Sequence, residues 1–128
     1  MSDQYPELYR EGIRLFNERD FFECHDVLEE LWTGTHTEER RFLQGLIQAA
    51  VGLYHFGNGN LGGARKMYRA AVDKLKPYGQ RYWGLNLQKL LAGLEDCFGD
   101  LLVARDGFPE GVALDEERIP RMEFDPGG

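Results

Sequence analysis

Apolar residues recur at the three- and four-residue spacing of an α-helix in five successive segments of the chain, and glycine, asparagine or proline separates the segments. A stripe of this kind has to be buried against another helix. The pattern therefore predicts an all-α bundle of five helices. They are expected to begin near residues 6, 20, 37, 60 and 86 and to end near residues 18, 32, 56, 76 and 102.

Residues typical of helix ends stand at several of these boundaries. Asp20 and Glu23 have the spacing of a capping box at the start of the second helix, and Gly34 suits a left-handed end to it. The Thr37 hydroxyl is expected to cap the third helix and Asn60 the fourth, and the fifth helix is expected to start at Asn86. Such ends predict antiparallel neighbours joined by short loops.

The second helix hairpin repeats the first at a distance of forty residues. Small and aromatic positions coincide under this shift: Gly12 with Gly52, Phe16 with Phe56, and Cys24 with Ala64. The second copy has the small and aromatic spacing of a tetratricopeptide repeat, carried by Gly52, Ala64, Tyr68 and Ala71. The alternative is that helix hairpins share such patterning by necessity.

The expected architecture is a five-helix bundle built from two tetratricopeptide-like hairpins, a closing fifth helix and an extended C-terminal tail. Two hairpins are fewer than a solenoid needs, so the fifth helix would close the stack. The helical domain is expected over residues 1–106, with residues 107–128 as an acidic tail packed on or beside it. The apolar residues expected to pin the tail are Val112, Leu114, Ile119 and Met122.

Composition limits the classes of partner. The chain has 15 basic and 22 acidic residues and a net charge of -7, which argues against a nucleic-acid-binding surface. No apolar run is long enough to cross a membrane, and the N-terminus lacks the basic start and apolar stretch of a signal peptide. Cys24 and Cys97 form no CxxC pair and are expected to be buried thiols. These features predict a cytoplasmic protein.

Charge is unevenly distributed along the chain. Residues 18–39 contain eight acids and one basic residue, whereas residues 65–81 contain six basic residues and one acid. A basic helix between acidic segments is typical of internal or subunit-to-subunit charge matching. A homodimer is therefore one assembly that the sequence allows.

Three residues of the second helix stand out chemically. His25, Glu29 and Trp32 lie within about 60° of one another on a helical wheel. The core stripe of the same helix, which includes Cys24 and Leu28, is centred about 100° away. The three side chains therefore flank the core, at a border where a polar site can be half-buried.

The spacing His25-x3-Glu29-x2-Trp32, together with the run LQGLIQAA at residues 43–50, resembles the domain-of-unknown-function family numbered three hundred and nine. The resemblance covers residues 9–75. It implies a small all-helical bacterial or archaeal protein of unassigned activity. It also implies a candidate metal site at His25 and Glu29, because histidine and glutamate are typical ligands.

The second and third helices are expected to form an antiparallel hairpin. If it turns at the break after the second helix, His25 is level with Gln44 and Gln48, and Glu29 is level with Arg41. Arg41 would then pair with Glu29, and the glutamines would hold the imidazole in a hydrogen-bonded network. The same side chains, covered by the motif's tryptophan, would alternatively line a cavity for a small ligand or a peptide.

A divalent metal ion is the competing expectation for His25 and Glu29. A zinc site needs three or four converging ligands. His55 would lie about 12–15 Å from His25 along the helix axis, so the sequence supplies no third ligand close to His25 and Glu29. The sequence supplies no nucleophile beside these residues either, because Cys24 belongs to the core stripe and is expected to be an inert thiol.

The sequence thus predicts a non-enzymatic binding or interaction module. Its polar site would comprise His25, Glu29, Trp32, Arg41, Gln44 and Gln48. The partner would be a protein, a peptide or a small ligand, and neither nucleic acid nor a membrane. The alternative is a divalent-metal-binding protein, hydrolytic in its activity, with His25 and Glu29 as ligands.

Overall fold

The helices of this chain pack in the order in which they occur in the sequence. The computed structural model describes residues 5–103, 107–108 and 110–127. Within these residues the helices are α1 (Glu7–Asn17), α2 (Phe21–Thr33), α3 (Glu39–Gly57), α4 (Leu61–Leu75) and α5 (Leu87–Leu102). The predicted all-α fold of five helices is confirmed. None of the helices in these ranges combines the length and the apolarity that crossing a bilayer requires.

The apolar stripes of the helices form one core, in which Phe16, Leu28, Leu46 and Phe98 are fully buried. Helices α3 and α4 pack closely at Gly45, where a Cβ atom would lie only 2.7 Å from Cγ of Leu75. Packed carbon atoms stay about 3.5–4 Å apart, so a side chain at residue 45 would push the two helices apart. The likeness of the hairpins to tetratricopeptide repeats stays a prediction.

A short β-hairpin lies between α4 and α5, where the sequence predicted a loop. The segment comprises a 3-10 turn (Lys76–Tyr78) and the antiparallel strands β1 (Arg81–Tyr82) and β2 (Leu85–Asn86). Both turn residues, Trp83 and Gly84, have positive φ angles, of 50° and 75°. The Trp83 ring packs on Tyr9 with a centroid separation of 4.4 Å, which fixes the hairpin to α1.

The predicted N-cap of α4 is confirmed, and so is the start of α5 at Asn86. The side-chain oxygen of Asn60 accepts a hydrogen bond from the Gly63 amide at 3.1 Å. The side-chain oxygen of Asn86 accepts one from the Lys89 amide at 3.0 Å. Each satisfies one of the backbone donors that a helix leaves free in its first turn. The predicted Thr37 cap of α3 is wrong: Glu38 is the N-cap residue without a side-chain bond, and the Thr37 hydroxyl donates to the Glu39 carboxylate instead.

The predicted caps of α2 are wrong. Asp20 makes no side-chain capping bond, and Gly34 has a φ of -91° instead of a left-handed conformation. Because Thr35 donates its hydroxyl to the Leu31 carbonyl at 2.7 Å, the end of α2 is closed by side chains and needs no left-handed residue. Arg40 adds a second donor to this end, at the Trp32 carbonyl.

The C-terminal segment folds back onto the bundle, and a second 3-10 turn covers Glu116–Arg118. Ile119 and Met122 are buried, and Val112 and Leu114 are partly buried against the core, so their predicted pinning role is confirmed. Asn17 of α1 holds the backbone of Met122 by donating to its carbonyl at 3.0 Å and accepting from its amide at 2.7 Å.

Candidate functional site

The chemistry-bearing residues of α2 form a stripe that faces α3. Phe22, His25, Glu29 and Trp32 recur at spacings of three, four and three residues, so they share one side of the helix. Two cavities lie along this side, and α3 supplies the opposite wall of both. The seam between α2 and α3 is therefore the candidate site.

The first cavity, named here the Trp32 notch, lies toward the C-terminal end of α2. It has a volume of about 170 Å³ and is lined by Glu29, Trp32, Gln44, Ile47 and Gln48. Two polar atoms of this lining, Nε1 of Trp32 and Oε1 of Gln48, are buried and make no hydrogen bond within the described part of the chain. One is a donor and the other an acceptor.

The second cavity, named here the aromatic cavity, lies toward the N-terminal end of α2. It also has a volume of about 170 Å³, and its lining consists of Phe21, Phe22, His25, Val51, Tyr54 and His55. The rings of Phe22 and Tyr54 meet above it with centroids 5.4 Å apart. On its α3 side, Nδ1 of His55 lies 3.3 Å from the Asn60 amide nitrogen.

The predicted register between α2 and α3 is wrong. His25 shares its cavity with Val51, Tyr54 and His55, and not with the glutamines at residues 44 and 48. The displacement along α3 is about one to two helical turns. It arises because α3 begins only at Glu39, so the chain reverses direction later than the predicted turn. The expected axial separation of about 12–15 Å between His25 and His55 is wrong for the same reason.

His25 does not pair with Glu29. Its Nδ1 lies 2.6 Å from the carbonyl oxygen of Phe22. A carbonyl can only accept, so Nδ1 carries a proton. The other ring nitrogen, Nε2, lies 3.9 Å from a carboxylate oxygen of Asp26. Glu29 is exposed, and its carboxylate makes no hydrogen bond or ion pair with any described residue.

Arg41 does not pair with Glu29 either. Its guanidinium lies 3.3 Å from Asp73 on α4, and both side chains are more than half exposed. The neighbouring arginine, which the sequence analysis missed, is the one that reaches the motif. Arg40 donates to the carbonyls of Trp32 and Thr35 at 2.7 and 2.8 Å. The sequence offered one indication of this contact. The last carbonyls of a helix have no partner within it, so a donor from outside α2 was to be expected at its end.

The predicted metal ligands do not fit a metal site. His25 lines the aromatic cavity, whereas Glu29 lines the Trp32 notch. Across the described ranges, no group of three or more histidine, cysteine, aspartate or glutamate side chains is arranged to hold an ion. A zinc site needs that many converging ligands.

The cysteine beside the motif is an inert thiol. Cys24 is fully buried, and its Sγ donates to the Gly12 carbonyl at 3.2 Å. Burial raises the pKa of the Cys24 thiol to about 12, so the reactive thiolate is scarce at neutral pH. The interpretation of Cys24 as a core residue is confirmed, and it supplies no nucleophile to either cavity.

Comparison with known proteins shows which family this seam resembles. The family model described as Domain of unknown function (DUF309) matches residues 9–67. Residues 9–67, slightly less than half of the chain, are therefore similar to the DUF309 family. The DUF309 match contains all eleven residues that line the two cavities, whereas the β-hairpin, α5 and the C-terminal segment lie outside it.

Two relatives of this chain are longer than the chain itself. An uncharacterized protein of Aquifex aeolicus (strain VF5) is 32% identical over 94 residues, which are 73% of this chain and 28% of the relative. The uncharacterized protein YpuF of Bacillus subtilis (strain 168) is 42% identical over 74 residues, which are 56% of this chain and 42% of the relative. The chain thus spans less than half the length of either relative.

Proposed function

We propose that the DUF309-like domain of this chain is a non-enzymatic binding module whose Trp32 notch binds an amide group of its partner, such as a peptide group. One observation carries the proposal. Trp32 and Gln48 both line this notch, and the indole N–H of the one and the side-chain amide oxygen of the other are buried without a hydrogen bond within the described part of the chain.

The energetics favour an occupant that hydrogen-bonds to both atoms. A buried polar group without a partner costs about 1–3 kcal/mol, and most buried polar groups in proteins are paired. A peptide group matches this pair, because its carbonyl can accept from the indole and its N–H can donate to the Gln48 oxygen. A hydrogen bond from the peptide group to either atom would recover the cost of that atom.

The rim of the notch selects by charge. Glu29 lines the notch, is exposed and has no cationic partner among the described residues. A carboxylate at the rim attracts a cationic group and repels an anion. A peptide with a lysine or arginine beside the bound amide would therefore be preferred over an acidic one.

A single amide tests the proposal. In the ¹H–¹⁵N spectrum of the full chain, N-methylacetamide is expected to shift the indole resonance of Trp32 with saturation. Methyl acetate, which lacks the N–H, is expected to bind more weakly. The indole of Trp83 serves as an internal control, because its ring is packed among Tyr5, Tyr9 and Phe42.

Gln48→Leu is the decisive variant. It removes the acceptor while it keeps a side chain of similar size, so it should abolish the preference for the amide over the ester. A Trp32 resonance that moves no more than that of Trp83, or a Gln48→Leu variant that keeps the preference, would contradict the proposal.

A further inference from the structure

Two aromatic rings remain exposed on the outer surface of the α2–α3 hairpin. The exposed fractions are 52% for Phe22 and 40% for Tyr54, although the two rings contact each other. The aromatic cavity lies beside them, and its lining is apolar apart from the imidazoles of His25 and His55. An exposed apolar patch next to a cavity is typical of an interaction surface.

The aromatic cavity and the Trp32 notch lie along one groove. From Phe22 to Trp32 the α2 wall extends about 15 Å, which is nearly three helical turns. The α3 wall runs antiparallel to it, from Tyr54 near one end to Gln44 near the other. A groove between two helices accommodates the side-chain ridge of a third helix.

Four carboxylates stand on the exposed surface of α2. Glu29 lines the Trp32 notch, and Asp26, Glu30 and Glu23 follow about 60–120° around the helix from it, on the solvent side of the groove. None forms an ion pair with lysine or arginine within the described ranges, whereas Glu11, Glu18, Asp73, Asp115, Glu116 and Glu123 do. Because α2 itself contains no lysine or arginine, this acidic stripe is available to a basic partner.

We propose that the groove binds a basic amphipathic helix of about three turns from a partner protein, with an apolar side chain on the aromatic cavity. The inference deepens the proposed function, because the partner would also present an amide group to the Trp32 notch. Its apolar face would cover Phe22 and Tyr54, and its lysines or arginines would face the carboxylates of α2. Helix-in-groove recognition of this kind reads apolar anchors at helical spacing.

A second copy of the chain fits the groove less well. In a symmetric contact the same surface meets itself, so the acidic stripe of one copy would face the acidic stripe of the other. Like charges brought together across an interface are repulsive. The charge of the stripe therefore favours a different, basic partner.

A model peptide tests the inference with the full chain. The probe is a lysine–leucine peptide of about twelve residues patterned as an amphipathic helix, and its matched control has glutamate in place of every lysine. Isothermal titration calorimetry is expected to show one-to-one binding of the lysine peptide that weakens with salt, and no binding of the glutamate peptide. Phe22→Ser is expected to weaken binding about tenfold or more, because the anchor loses its apolar contact.

Matched triple variants separate a specific site from net charge. Glu23→Gln, Asp26→Asn and Glu30→Gln together neutralise three of the four carboxylates and leave Glu29 in the Trp32 notch unchanged. Glu95→Gln, Asp96→Asn and Asp100→Asn make the same change of net charge at exposed positions of α5. The first triple variant should weaken binding about tenfold or more, and the second should leave it near the wild-type value.

The outcomes distinguish this inference from the proposed function. Equal losses of affinity for the lysine peptide in the two triple variants would contradict binding in the groove. A Phe22→Ser variant that binds the lysine peptide like the wild type would contradict it as well. Sedimentation showing a dimer of the unliganded chain that Phe22→Ser dissociates would assign the groove to a second copy instead. After any of these outcomes, a saturable shift of the Trp32 indole resonance on addition of N-methylacetamide would still support the proposed amide site.

Discussion

The guanidinium carbon of Arg40 lies 3.9 Å from the centroid of the Trp32 ring. The same guanidinium donates to the carbonyls of Trp32 and Thr35. It therefore closes the C-terminal end of α2, covers one face of the tryptophan and connects α2 to the first turn of α3. A cation over an indole face and charged donors on carbonyls are both stabilising.

Replacement of Arg40 should destabilise the chain more than replacement of its neighbour. Arg40→Ala is expected to lower the free energy of unfolding by about 2 kcal/mol, because two carbonyls and the indole face lose their partner. Arg41→Ala removes an exposed ion pair with Asp73 and should cost less than about 1 kcal/mol. Urea denaturation of both variants measures the difference, and equal losses would show that Arg40 contributes no more than a surface charge.

The two arginines also show where sequence reasoning reaches its limit. The motif residues His25, Glu29 and Trp32 could be placed on one face of α2 from their spacing alone. Their partners on α3 could not, because these depend on how far α3 is displaced along α2. A displacement of one to two helical turns moves Arg41 away from the level of Glu29, and it depends on where the α2–α3 loop ends, which propensities locate only to a few residues.

Gly45 should tolerate no side chain. A Cβ atom there would lie 2.7 Å from Cγ of Leu75 and 3.2 Å from Cβ of Lys74. Gly45→Ala is therefore expected to destabilise the chain by about 1–3 kcal/mol through overpacking of α3 against α4. Thermal unfolding followed by circular dichroism provides the measurement.

Gly62 supplies the matched control for Gly45. It lies in the first turn of α4, and a Cβ atom there would meet nothing within 4 Å. Gly62→Ala should stabilise the chain by about 0.5–1 kcal/mol, because alanine loses less backbone entropy in a helix. If Gly45→Ala leaves the melting temperature unchanged or raises it as Gly62→Ala should, the close approach at Gly45 does not limit the packing.

The C-terminal segment should loosen when its anchor on α1 is removed. Asn17→Ala deletes the side chain that both donates to and accepts from the backbone of Met122, at an expected cost of about 1–3 kcal/mol. Hydrogen exchange at the Met122 amide is expected to accelerate. Arg121→Ala, which removes only a 3.5 Å contact to the Asn17 carbonyl, should leave that exchange rate nearly unchanged, and comparable acceleration in both variants would contradict the anchor.

Local signals predicted the fold better than they predicted contacts distant in sequence. Asn60 and Asn86 cap their own helices, so residues within three positions suffice to predict them. By contrast, the bond between Asn17 and Met122 joins residues 105 positions apart. An asparagine in the last turn of a helix gives no indication of such a partner, because its amide can satisfy a backbone segment from anywhere in the chain.

The acid limb of the stability curve should depend on Glu39. Its carboxylate accepts hydrogen bonds from the Thr37 hydroxyl at 2.6 Å and from the Tyr82 hydroxyl at 2.8 Å. The Thr37 hydroxyl lowers the pKa of Glu39 below its ordinary value of 4.5, burial opposes this effect, and the Tyr82 hydroxyl adds to the lowering. Near pH 4 the unfolded chain consequently binds more protons at this residue than the folded chain does.

Glu39 therefore contributes stability that is present above pH 4.5 and is lost as the pH falls through the lowered pKa of the folded state. Glu39→Gln should flatten the decline in the free energy of unfolding between about pH 5 and pH 3, measured by urea denaturation at each pH. Glu38→Gln removes the adjacent carboxylate, which has no side-chain partner within the described ranges, and its curve should run parallel to that of the wild type. If the Glu39→Gln curve is as steep as the wild-type curve, the two hydroxyl contacts do not stabilise the ionised carboxylate, and the link between α3 and the β-hairpin through Tyr82 is not electrostatic.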